Sequence, residues 1–161
     1  IYIEGSKEAI DNFVERFEKC HSGPYPNQEE NPHIADEFGA DAELFIDKVG
    51  SKWIQIWDEG IYHSSDNRCE IYLDTAWYPP SDMILEIYRQ MAEIDDEIKV
   101  SGKYWDEGHQ PIGVFEVYYG QIISEEQSID DDEDQEYFWD DVIEPAFEIL
   151  QERLDKVMKE I

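Results

Sequence analysis

Apolar residues in this chain switch between a period of two and a period near 3.6, and each switch marks an element. Ile1-Tyr2-Ile3-Glu4 alternates as a short edge strand. Gly5-Ser6 turns the chain with Ser6 as N-cap, and Ala9, Ile10, Phe13, Val14 and Phe17 mark one face of a helix ending near Cys20. Gly23, Pro24, Pro26 and Asn31-Pro32 make the next segment a loop, and Ile34 to Ile46 is loop or a short helix broken at Gly39. Trp53 to Trp57 alternates as a strand, Ser64-Ser65-Asp66-Asn67 is a hairpin turn, and Cys69 to Asp74 returns beside it. Pro79-Pro80 ends that strand because proline cannot donate to a ladder, and Trp77 is expected to plug the corner. Ser81 is the next candidate N-cap, with Asp82 in the first turn. Met83, Ile84, Ile87, Tyr88 and Met91 then recur at helical spacing. Glu97 to Trp105 and Gly113 to Tyr119 form a second hairpin that Gln121-Ile122-Ile123 extends or ends. Trp139, Ile143, Ala146, Leu150, Leu154, Val157 and Ile161 predict a long C-terminal helix, with Pro145 in its first turn.

The order is β–α–(loop)–β–β–α–β–β–α. It predicts an α+β fold: a ferredoxin-like split βαβ antiparallel sheet with helices on one face, plus an appended β-hairpin strand and a long C-terminal helix. At 161 residues the chain is expected to be a single domain, with 21–50 an inserted loop or short helix, 124–136 an acidic loop and 139–161 the last helix.

Charge changes this picture more than any motif does. The net charge is −29, where about 2–8 in magnitude suffices for solubility. The excess costs stability through self-repulsion, so it calls for a use. It argues against nucleic acid or an anionic membrane as direct partner and favours a basic protein or metal cations. From Tyr104 to Glu152 there is no Lys or Arg. That stretch holds Asp106, Glu107, Glu116, Glu125, Glu126, Asp130, Asp131, Asp132, Glu133, Asp134, Glu136, Asp140, Asp141, Glu144, Glu148 and Glu152. B-DNA carries one phosphate charge per about 1.7 Å of axis, and carboxylates on a helix rising about 1.5 Å per residue approach that density. One reading is a decoy for a nucleic-acid-binding surface; the other is a solvated acidic face with a disordered loop at 124–136.

Other chemistry is weaker. Asp130, Asp132, Asp134 and Asp141 fall at calcium-loop offsets, but Gln135 stands where that loop needs Gly and Asp141 where it needs a bidentate Glu. His21, His33, His63 and His109 are scattered, with no zinc spacing, no nucleophile elbow and no Gly-rich phosphate loop. No cofactor or metal and no enzymatic activity is expected. Two cysteines, Cys20 and Cys69, fit free thiols in a reducing compartment, hence the cytosol. Exposed Tyr137, Phe138 or Trp139 beside the acidic run would suit a protein interface.

Gly50-Ser51-Lys52-Trp53, Thr75-Ala76-Trp77-Tyr78-Pro79-Pro80, and Tyr104-Trp105-Asp106-Glu107-Gly108 with Gly113 add a resemblance. Together they resemble the Api92-like family of phage and plasmid proteins, which carries a YubB-type ferredoxin-like domain. Ser51 replaces the usual Thr and Val114 departs from the last motif; the resemblance spans roughly residues 50–120. It implies a mobile-element protein and carries no catalytic motif. Joined to the charge, it leads to a non-enzymatic phage-type inhibitor. Its acidic residues Glu125, Glu126, Asp130–Asp134, Glu136, Asp140, Asp141, Glu144, Glu148 and Glu152 would fill the basic groove of a host defence protein, of CRISPR-effector or restriction type. The alternative is a small binding or scaffold module whose acidity serves solubility, with a homodimer possible through the last helix.

Overall fold

In a computed structural model the described residues are 1–19, 54–75, 79–106, 111–129 and 139–161. The 21–50 insert, Trp53, the Trp77 corner, Glu107, His109, the run Asp130–Glu136, Tyr137 and Phe138 lie outside them. The fold is α+β: among the described residues, a six-stranded antiparallel sheet in the order β2-β3-β1-β4-β5-β6, with three α-helices. The strands are β1 (Tyr2–Glu4), β2 (Ile54–Ser65), β3 (Arg68–Thr75), β4 (Lys99–Trp105), β5 (Ile112–Tyr118) and β6 (Gln121–Gln127). The helices are α1 (Lys7–Lys19), α2 (Ser81–Ala92) and α3 (Glu144–Glu160). Two compact units are formed, residues 1–100 with 119–121, and residues 101–118 with 122–161.

In the first unit, Ser6 caps α1 as expected, its Oγ accepting the Ala9 N–H at 3.3 Å. Ala9, Ile10, Phe13 and Phe17 are fully buried, and the two phenylalanine rings lie 5.2 Å apart one turn from each other. Helix α2 buries Met83, Ile84, Ile87 and Met91. Its start differs from expectation: Pro80 holds the cap position, and Ser81 is the first helical residue. The fixed φ of proline, here −77°, prepares the entry, and the Pro80 carbonyl takes the first helical N–H, from Ile84 at 2.9 Å. Strand β2 runs well past Trp57. Its charged Asp58-Glu59 and Gly60 depress strand propensity, and register shifts between Ile56 and Ile61 and between His63 and Ser65 accommodate the irregularity. Only Asp66-Asn67 remains as the turn, where the Ser65 Oγ accepts the Asn67 N–H at 3.3 Å. Cys69 is a free, buried thiol that burial pushes up to about 12.

In the second unit, Ile143, just ahead of α3, and Ala146, Phe147, Leu150 and Leu154 on it cluster with Ile112 and Val114 of β5. Phe147 was not in the expected stripe, and the stripe's ends, Trp139 and Ile161, are exposed. A single π-helical turn, Trp139–Ile143, precedes α3. Pro145 has no N–H for the carbonyl four residues back, so an α-helical ladder cannot pass through it, and the register widens just before it. Tyr119, expected in a strand, instead forms a two-residue turn with Gly120, both with positive φ (46° and 76°). That is the mirror-image turn matching strand twist, and it returns the chain as β6.

Gly113 faces Tyr104 across β4–β5, and a Cβ there would collide with the ring at Cζ. Gly113→Ala is therefore expected to cost about 1–3 kcal/mol by displacing that ring. In a Tyr104→Ala background the same change should cost far less, and urea unfolding of the four-member cycle measures the difference.

Candidate functional site

The expected acidic residues divide by location. Glu125 and Glu126 lie in strand β6, so the expected 124–136 loop is corrected over 124–127. Ser124-Glu125-Glu126-Gln127 has low strand propensity, and pairing with β5 through the tight turn overrides it. Charge suits this place, because β6 ends the sheet order and carboxylates on an edge discourage further pairing. Glu125 is half-buried, and Glu126 is exposed. The Tyr104 phenol, reaching over Gly113, donates to Glu126 Oε2 at 2.7 Å. Asp130, Asp131, Asp132, Glu133, Asp134 and Glu136 lie outside the described residues.

Asp140 and Asp141 are exposed in the π turn, and Glu144, Glu148 and Glu152 are exposed on α3. Residues four apart share a helix face, so these three glutamates form one row rising about 6 Å per step. Their surroundings set them apart. Among the described residues, ion pairs join Lys7 to Asp11 and Asp66, Arg68 to Glu4 and Glu70, and Arg89 to Glu86 and Glu93. All of these lie in the first unit. None involves Asp140, Asp141, Glu144, Glu148 or Glu152. Residues 101–161 carry eighteen acidic side chains against Lys103, Arg153, Lys156 and Lys159.

An aromatic cluster adjoins the start of this row. Trp105, the last residue of β4, meets Trp139 edge-on with centroids 5.2 Å apart, and Phe147 6.0 Å away. Phe147 is buried, whereas Trp105 and Trp139 are 48% and 40% exposed. Lys103 holds its ammonium 5.2 Å from the Phe147 ring centre. Trp139, expected in the apolar stripe or as an exposed interface aromatic, is exposed; its pairing with Trp105, 34 positions earlier, has no local signature. Phe147 was detectable, since it follows Ala146 and lies four after Ile143.

Among the described residues no group of three or more His, Cys, Asp or Glu side chains is arranged to hold a metal ion, and no helix is long and apolar enough to cross a membrane. No protein-family model, curated protein or solved structure matches the chain.

Burial, then the bond to Glu126, holds the Tyr104 phenol above its ordinary range near 10. The folded state thus keeps this proton longer than the unfolded one. Its contribution is complete below about pH 10 and declines as pH rises toward the raised folded value. Tyr104→Phe should flatten that alkaline loss relative to wild type in urea titrations between pH 8 and pH 11. Glu148 stands one helical turn from both Glu144 and Glu152, so Glu148→Gln removes two like-charge pairs. It should stabilise the chain by roughly 0.4–1 kcal/mol at low salt, and by less at high salt. Thermal melts at two ionic strengths test this.

Proposed function

We propose that this chain is a non-enzymatic acidic inhibitor that occupies the nucleic-acid groove of a basic host protein. The supporting observation is the row Glu144, Glu148 and Glu152, with Asp140 and Asp141, exposed and meeting no lysine or arginine among the described residues. Carboxylates kept for stability or local order would be expected to meet lysine or arginine, as Glu4, Asp11 and Glu86 of the first unit do. Carboxylates left open retain their full field for an incoming basic surface, which steers encounter and orients docking. Glu125, Glu126 and the run Asp130–Asp134 with Glu136 extend the negative stretch in sequence.

The fold assignment belongs to the same proposal. The strand order β2-β3-β1-β4, with α1 between β1 and β2 and α2 between β3 and β4, is that of a ferredoxin-like split βαβ with its two helices on one face. β5, β6 and α3 are then appended. The origin in a phage or other mobile element, action in the host cytoplasm, and a defence nuclease or CRISPR effector as target rest on the motif resemblance around residues 50–120.

The test is capture from host lysate followed by displacement. The recovered protein should bind DNA or RNA, be released by that nucleic acid, and be lost as ionic strength rises. Combined Glu144→Lys, Glu148→Lys and Glu152→Lys should weaken capture by roughly tenfold or more while far-UV circular dichroism stays unchanged. A captured protein indifferent to salt and to charge reversal would point instead to a scaffold module whose acidity serves solubility.

A further inference from the structure

The second unit exposes two tryptophans at a place where they have little reason to be wet. An exposed indole pair is an expensive surface to maintain, and aromatics of this kind mark the energetic centres of interfaces. Trp105 and Trp139 meet edge to face, so part of each ring is open to solvent. Asp106 follows one tryptophan and Asp140-Asp141 the other, and all three carboxylates are exposed. The same cluster already accepts a cation from its own chain, Lys103 over the ring of Phe147. Phe147 also touches both tryptophans, at 6.0 and 6.4 Å. Negative ring faces, with exposed carboxylates next in the chain, complement a flat, positively charged group.

We infer that Trp105 and Trp139 receive an arginine side chain of the basic partner, its guanidinium stacked on an indole face and bonded to Asp140 or Asp141. Arginine is selected over lysine. Its planar, weakly hydrated fork stacks on an indole and pairs with a carboxylate at once, whereas an ammonium is a strongly hydrated point charge. The inference rests on the proposed function, because a basic groove supplies the arginine. It adds what that reading lacks, a short-range contact that discriminates among basic surfaces instead of merely attracting them.

The experiment uses the full chain and two probes, a nine-residue arginine peptide and a nine-residue lysine peptide, titrated calorimetrically at low salt. Wild type is expected to bind the arginine peptide about fivefold more tightly. Trp105→Leu and Trp139→Leu should bring the two affinities together, and Trp139→Phe, which keeps a ring, should restore part of the difference. The wild-type chain gives a second readout that needs no substitution in the protein measured: the indole N–H resonances of Trp105 and Trp139, which the arginine peptide should shift more than the lysine peptide. Equal affinity for both peptides, or indole signals unmoved by a bound arginine peptide, would overturn this inference and leave the acidic decoy standing. Failure of either peptide to bind in a salt-dependent way would overturn the decoy and this inference together.

Discussion

The packing of α3 on β5 is the interaction on which the second unit depends. Ile143, Ala146, Phe147, Leu150 and Leu154 are buried against Ile112 and Val114. Burial of a large apolar side chain is worth about 1.5–3 kcal/mol, so the four large members contribute on the order of 10 kcal/mol as an upper bound. Each like-charge pair one turn apart on the exposed row costs about 0.2–0.5 kcal/mol. The apolar face therefore outweighs the acidic face by a wide margin. A helix held this firmly can carry Glu144, Glu148 and Glu152 unpaired without leaving the sheet, which makes a dense negative surface compatible with a defined backbone.

The two units treat charge in opposite ways. In the first, Lys7, Arg68 and Arg89 each meet acidic partners, and Asp95 accepts backbone N–H bonds from Ser6 and Glu97. Carboxylates there finish local structure. In the second, Asp155 accepts a hydrogen bond from Gln151 one turn away, whereas Asp140, Asp141, Glu144, Glu148 and Glu152 meet no lysine or arginine among the described residues. The π turn also enters the proposed function, because it carries Trp139 and both aspartates immediately ahead of α3. Pro145 thus shapes the segment that presents them.

The elements with strong periodicity were legible from sequence. The faces of α1 and α2 and most of the α3 stripe follow from apolar spacing, and the order of elements follows from their alternation. Three features escaped for identifiable reasons. Strand β6 was hidden because Ser124-Glu125-Glu126-Gln127 looks like a charged loop, and only the Tyr119-Gly120 turn and partner β5 make it a strand. Strand β2 extends through Asp58-Glu59-Gly60 because register shifts absorb residues that propensity would exclude. The Trp105–Trp139 contact joins the end of one strand to the turn before a helix, a tertiary fact with no local pattern. Of the candidate site, the charge was plain in the sequence. What it could not reveal was which carboxylates lack a cationic neighbour, since that depends on where Lys103, Arg153, Lys156 and Lys159 fold.

The most direct test of the central claim is a hydrogen-exchange footprint of the chain, free and bound to the partner it captures. Added protection should fall on 139–152 and on β6, with β2 and β3 unchanged. Protection confined to the β2–β3 hairpin, with α3 exchanging as in the free chain, would contradict the assignment of the acidic face as the binding surface.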